Sequence, residues 1–261
     1  MPALVQTEAA PLLAEVPGLL QRALGADLLA LYVYGSLTSG DFDEGVSDID
    51  LLAVTALTPD LGQFERLDGV HGEIVSAHPA WDDRLEIAYV SAEALRTFRT
   101  ERRDIGIISP GEPFHMKDAG ADWLVNWYVV REMGVTLFGP PAAAFIAPIT
   151  TAEYVEGVRD YGVEWLTRAP ELRTRHAQAY AIITLCRAVY TLRHGEYVTK
   201  KCAAEWAMGE LPEWAALIRN ALAWRMAFRE QGVNHDATLA ETWRFVKEMT
   251  GRIAALPAPL G

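Results

Sequence analysis

A chain of 261 residues can fold as two modest domains, each with a core of its own. Its 51% hydrophobic content excludes a disordered chain, and its formal charge of −12 runs against a grip on nucleic acid, which takes a basic face; such acidity suits a small cationic partner. No apolar run reaches bilayer length, residues 1–20 lack the Lys or Arg of a secretory leader, and neither the two cysteines nor the six histidines have metal-site spacing, so a reduced, cytoplasmic protein is expected, with no membrane and no nucleic acid among its partners.

Residues 11–24 place Leu12, Leu13, Val16, Leu19, Leu20 and Leu24 on one broad helical face, with Pro17-Gly18 as a point where the helix breaks or kinks. Residues 28–34 are a compact run of strand formers ending at Gly35, and 49–55 form a second strand. A short helix is predicted over 59–67, begun by Thr58 with Pro59 at its first position. Residues 85–90 read as another strand, and Ser91 caps a helix over 92–98. The segment 100–117, broken by two prolines and two glycines, yields only a strand near 105–108. From Ala121 the period turns helical. A helix runs to Met133 and stops at Gly134; a turn follows at 137–141 and a linker at 142–148. Helices are then predicted over 151–168, 176–193, 201–209, 212–230 and 237–255, with no strand pattern. The expected fold class is α+β: an α/β domain with a mixed sheet over 1–148, then an all-α helical-bundle domain over 149–261, with a ligand site between them.

The densest chemical signal is Tyr34-Gly35-Ser36 followed, twelve residues after the serine, by Asp48-Ile49-Asp50. A small-residue turn can approach a phosphate, through the Gly35 backbone and the Ser36 hydroxyl. Residues two apart in a strand share a face, so Asp48 and Asp50 point together while Ile49 turns into a core. Paired carboxylates repel unless a cation lies between them, and Mg²⁺, bound by one or two carboxylates plus substrate phosphates, is the natural candidate. Turn, serine and paired aspartates point to transfer of a phosphorus group from a nucleotide. Glu86, on the strand face opposite Leu85, Ile87 and Tyr89, is costly to bury unless paired or used. It completes a carboxylate trio, either as a third metal ligand or as a general base. Arg187 is the only charged residue between Ala177 and Leu192. A guanidinium keeps its proton, so burial there demands an anion, either a phosphate or the carboxylate of Glu205 or Glu164.

Gly35-Ser36, Ser39-Gly40 and the run Ser47 to Leu52 resemble the signature of the nucleotidyltransferases of polymerase β-like fold. The run Leu185 to Tyr190, continuing through Thr199 to Met208, resembles the C-terminal domain of the aminoglycoside adenylyltransferases that act on streptomycin and spectinomycin, and Leu137-Phe138-Gly139-Pro140 resembles their interdomain marker. The resemblance spans most of the chain, from about Leu28 to Lys247. It implies a Mg²⁺-dependent enzyme that moves AMP from ATP to a hydroxyl of a small, cationic acceptor. Asp48 and Asp50 would hold the metal, Glu86 would be the base, and Gly35, Ser36, Ser47, Arg187 and Lys200 would hold the nucleotide.

Where those enzymes carry acids ahead of the arginine-bearing helix, this chain reads Arg173-Thr174-Arg175-His176-Ala177, and no tryptophan lies in 105–115 to hold streptomycin. The expected acceptor is therefore an aminoglycoside or aminocyclitol with spectinomycin ahead of streptomycin. A non-antibiotic or protein acceptor, and a non-catalytic nucleotide-binding relative, are the alternatives.

Overall fold

The apolar runs at 28–34 and 49–55 become adjacent interior strands of a mixed six-stranded sheet. The computed structural model describes residues 7–227 and 231–256. The chain divides into two compact units, Met1–Pro148 and Ile149–Gly261.

In the first unit the strands are β1 (Leu28–Tyr34), β2 (Ile49–Thr55), β3 (Leu85–Ser91), β4 (Arg103–Ser109), β5 (Glu112–Ala119) and β6 (Val135–Phe138), in the order β5-β4-β3-β2-β1-β6. Only β2 and β3 run parallel. Their crossover is α3 (Leu61–Ala77), as a parallel pair requires. One sheet face, carrying Leu31, Val33, Leu51, Ile87 and Tyr89, packs with α1 (Ala10–Leu24) and α3 into the hydrophobic core. Because side chains alternate, the other face is left for β-strand residues of opposite parity, among them Tyr34, Asp50 and Glu86.

Several elements differ from the sequence reading. Helix α1 continues through Pro17, because the buried face of Leu12, Leu13, Val16 and Leu20 keeps its packing on both sides of the lost amide. Helix α3 starts later and runs much longer than expected. Its cap is Asp60 rather than Thr58: the Asp60 carboxylate accepts from the Gln63 N–H at 2.8 Å and the Gln63 side chain returns a bond to the Asp60 N–H at 3.1 Å. Gly69 and Gly72 hide its second half, yet Val70, His71 and Ile74 carry the buried face onward. Strands β5 and β6 were not predicted. Both are edge strands, and β6 takes in Leu137 and Phe138 of the expected turn; its four residues are all half-buried and show no alternation. Ser91 does cap its helix, α4 (Ala92–Thr97), accepting from the Ala94 N–H at 3.1 Å. The helix expected from Ala121 begins as a short 3-10 turn and continues as α5 (Leu124–Met133).

The described residues of the second unit contain no strand; its α-helices are α6 (Thr151–Glu164), α7 (Arg175–His194), α8 (Lys200–Glu210), α9 (Ala215–Met226) and α10 (Leu239–Ala255). The end of the helix predicted over 212–230 falls partly outside the described residues. Helix α7 is its axis, packed against α6, α8, α9 and α10. Gln178, fully buried on α7, satisfies its amide completely: it donates to the Leu172 and His235 carbonyls at 3.1 and 3.0 Å and accepts from Thr238 and Thr242 at 2.6 and 3.2 Å. No helix of the described residues is long and apolar enough to cross a membrane.

His71 on α3 is 3% exposed, and its Nε2 meets the Tyr89 hydroxyl at 2.8 Å while Nδ1 has no partner. Burial pushes its pKa down from 6.5 to about 4. The unfolded chain therefore takes up a proton at a pH where the folded one does not. Stability is complete above pH 6.5 and falls as pH drops toward 4, by about 3 kcal/mol for this group alone. Urea unfolding of His71→Phe and the parent across that window is expected to show a shallower acid loss in the variant; parallel curves would contradict the burial argument.

Candidate active site

The sheet register assembles the site. Tyr34 on β1 pairs with Asp50 on β2, and Asp50 pairs with Glu86 on β3. Three polar side chains thus leave the same face on adjacent strands, which lie about 4.8 Å apart. Asp48 directly precedes β2 and is half-buried, like Asp50, while Ile49 between them is fully buried on the core side.

The electrostatics are those of a concentrated negative charge. Burial, and then the Asp48 charge, push the Glu86 carboxyl above the usual carboxylate range. Two hydroxyls oppose that shift: Ser109 Oγ donates to Glu86 Oε2 at 3.1 Å and Tyr34 OH donates to Oε1 at 3.4 Å. The charge of Lys117 on β5 pulls in the same direction as the hydroxyls. Tyr34 itself is raised well above the ordinary phenol range by burial, followed by the charges of Glu86, Asp50 and Asp48. The Tyr34 hydroxyl therefore stays protonated and can only donate to the carboxylate. Ser109 and Lys117 lie in the segment that resisted sequence reading. The signal for Ser109 is the alternation in Arg103–Ser109, which puts Ile105 and Ile107 on one face with it; no pattern marks Lys117 on β5.

The turn after β1 fits closely against the aspartates. Gly35 has φ +73°, and a Cβ there would collide with Asp50 Oδ2 and lie 2.9 Å from its Cγ. Only glycine allows this approach. Ser36 opens the short helix α2 (Ser36–Ser39), and its Oγ is buried with no hydrogen-bond partner. A buried hydroxyl without a partner, beside clustered carboxylates and a cradle free of Cβ, is a donor set suited to a phosphate and a hard cation. The described residues hold no group of three or more His, Cys, Asp or Glu arranged as a metal cage. Asp48 and Asp50 would thus need ligands from a substrate, which is how Mg²⁺ is commonly held. Ser47 is 3% exposed, and its hydroxyl accepts from the Asp43 N–H at 3.0 Å, so the structure places it in the support of the loop leading to Asp48.

Arg187 and Lys200 lie in the second unit. Arg187 is half-buried on α7 with its guanidinium carbon 5.4 Å from the Tyr197 ring centre, and the ion pairs weighed with Glu164 and Glu205 are not formed. Thr199 caps α8 by accepting from the Cys202 N–H, which makes Lys200 the first residue of that helix. The Lys200 ammonium lies 5.5 Å from the Tyr180 ring centre. Tyr180 and Arg187 are seven apart on α7 and so share a face. Tyr190 OH donates to Glu196 at 2.9 Å and Thr191 Oγ1 to the Glu196 carbonyl at 3.0 Å, which fixes the turn between α7 and α8. Two cations are thereby brought to one side of α7, one at a helix N-terminus, where anions are favoured. Arg175 is already engaged: it donates to the Asn234 carbonyl at 3.1 Å and stacks 5.2 Å from the Trp224 ring centre. Trp127 and Trp165 are each 2% exposed and fill cores.

Comparison with known proteins shows what the chain is similar to. Residues 144–252 match the model of the aminoglycoside adenylyltransferase C-terminal domain. The chain is 29% identical to an aminoglycoside (3'')(9) adenylyltransferase of Escherichia coli, over 95% of this chain and 96% of that protein. It is 27% identical to the protein of the same name in Rhizobium radiobacter, over 90% of each. The crystal structure of spectinomycin adenyltransferase AAD(9) from Enterococcus faecialis with ATP and spectinomycin superposes with a TM-score of 0.74 at 15% identity, covering 92% of this chain and 97% of that one, and shares the α+β fold.

Gly35→Ala and Gly40→Ala separate two costs. Both glycines have positive φ, but nothing lies within 4 Å of a Cβ at Gly40. Gly35→Ala is expected to lower unfolding stability by about 2 kcal/mol more than Gly40→Ala, because overlap with Asp50 adds to backbone strain. Equal losses in urea denaturation would mean that the turn does not press on Asp50.

Proposed function

We propose that this chain, an aminoglycoside adenylyltransferase-like member of the polymerase β-like nucleotidyltransferases, moves AMP from ATP to a hydroxyl of a small acceptor, with spectinomycin ahead of streptomycin. The observation that carries the reading is the rung shared by Asp50 and Glu86, with Asp48 beside it and Gly35 pressed against Asp50. Two cysteines without a disulfide, Cys186 and Cys202, fit work in a reducing cytoplasm.

Asp48 and Asp50 would hold Mg²⁺. When bound, that ion supplies neutralisation of the triphosphate and of the departing pyrophosphate. The Gly35 backbone and the Ser36 hydroxyl hold phosphate oxygens, and Arg187 and Lys200 are the phosphate-binding cations of the second unit. Glu86 takes the proton of the acceptor hydroxyl; Tyr34 and Ser109 hold its two oxygens in direction as it does so. The acceptor oxygen forms a bond to the α-phosphorus while the bond to the pyrophosphate oxygen breaks. Ser47 keeps the loop that carries Asp48 in place.

The absence of acids in 173–177 favours one second reading, the same transfer to a non-antibiotic acceptor, a protein included. A purely nucleotide-binding relative is disfavoured, since three adjacent carboxylates without a cation are a stability cost.

Arg173 and His176 are exposed where the resemblance would place acids, and like charge facing a cationic drug can cost several kcal/mol. Pyrophosphate release from ATP with Mg²⁺ is therefore expected with spectinomycin, and at a rate lower by about tenfold or more with streptomycin. Efficient release with streptomycin that depends on Asp48 would put the acceptor pocket elsewhere. Release with neither drug, but with another hydroxyl compound, would select the second reading.

A further inference from the structure

Arg84 lies outside the carboxylate cluster, yet it is 4% exposed and every arm of its guanidinium is used. Nε and Nη2 donate to the Ser47 carbonyl at 3.0 and 2.6 Å, and Nη1 donates to the Ala80 carbonyl at 3.3 Å. Nη2 also pairs with Glu8 Oε1 at 2.8 Å, and the group stacks 4.4 Å from the Trp81 ring centre. The backbone of the same residue accepts the Ile49 N–H at 2.9 Å. Arg84 therefore grips the residues on both sides of Asp48, one with its side chain and one with its main chain.

The rest of the loop is fastened to the same point. Glu8 Oε1 accepts the Gly45 N–H at 2.7 Å, at a glycine with φ +74°. Between these anchors the loop closes on itself: the Ser47 N–H donates to the Asp43 carbonyl at 2.8 Å, and the Asp43 N–H to Ser47 Oγ at 3.0 Å. Asp48 lies just before β2, and the Ile49 N–H bond to Arg84 ties the residue after it to the neighbouring strand's approach. Without this clamp Asp48 would be a loop residue next to like charges that repel it.

We propose that Arg84, with Glu8 as its counter-ion, is a positioning residue that holds the Asp48 carboxylate in place for a metal–nucleotide complex. The proposal rests on the reading of Asp48 as a metal ligand. A purely structural salt bridge would change stability alone. A clamp on Asp48 changes affinity for the metal-bound nucleotide and leaves metal-free nucleotide binding unmoved.

The test is titration calorimetry of the full chain with a non-hydrolysable ATP analogue, with and without Mg²⁺, on variants shown to be folded by circular dichroism. Arg84→Met is expected to weaken Mg²⁺-dependent binding by about tenfold or more, the range seen when the support of a metal ligand is removed. Glu8→Ala should weaken it less, and Arg84→Lys should recover part of the loss, because an ammonium still reaches one carbonyl. If Arg84→Met does not fold, Glu8→Ala, at a partly exposed site, decides the matter. Folded variants that bind within twofold of the parent in Mg²⁺ would overturn the clamp while leaving the nucleotidyltransferase reading intact. A parent chain that binds no Mg²⁺–nucleotide, like Asp48→Asn, would overturn both.

Discussion

Asp50 and Glu86 sit on one rung of a parallel strand pair, with Asp48 close enough that its charge raises the Glu86 carboxyl. Like charges at this spacing repel, and partial burial deprives them of much of the water that would screen the repulsion. Most of the local structure is a response to that constraint. Tyr34 and Ser109 donate to Glu86, Lys117 contributes a favourable charge, and Gly35 gives Asp50 room that any side chain would close. None of these neutralises the cluster. A cation and a polyphosphate would do so together, which is why the unsatisfied Ser36 hydroxyl beside the aspartates is informative.

The fold separates stability from chemistry by sheet parity. Leu31, Val33, Leu51 and Ile87 anchor one face to α1 and α3, so the carboxylates opposite are carried on strands fixed from behind. Asp48 lacks that support because it lies just before β2, and the loop ahead of it is fastened by side chains instead. In the second unit, α7 plays the corresponding part: one side carries Ile182, Leu185 and Cys186 in the core, and another presents Tyr180 and Arg187 beside Tyr197 and Lys200.

Strands β1 and β2 were legible because they are largely apolar runs, buried at all but one position each and bounded by glycine or by charged and capping residues, so both lie where the pattern puts them. The Asp48–Asp50 pair was legible for the same reason, its phase being set by the buried Ile49. The edge strands were not. Hairpin β4–β5 is interrupted by Pro110, Gly111 and Pro113, and β6 is too short and too evenly exposed to show a period. That gap hid Ser109 and Lys117. The partners of Arg84 could not be foreseen either, since Glu8 is 76 positions away and the Ser47 group it holds is a backbone carbonyl, which no side-chain pattern records. Arg187 could be picked out as a lone charge in an apolar helix, but its partial burial against Tyr197 depends on the turn that leads from α7 to α8.

The central claim is that these carboxylates divide the work, with the aspartates holding the metal and Glu86 taking the proton. Glu86→Gln isolates the second role, because the amide keeps the shape, accepts from one of the two hydroxyls and donates to the other, while losing the basic oxygen. The account predicts that Mg²⁺–ATP binding, measured by calorimetry, stays within a few-fold of the parent while pyrophosphate release in the presence of acceptor falls by about 10²–10⁴-fold. Loss of Mg²⁺–ATP affinity in parallel with turnover would make Glu86 a metal ligand, and turnover close to that of the parent would remove it from the chemistry; either result contradicts the account.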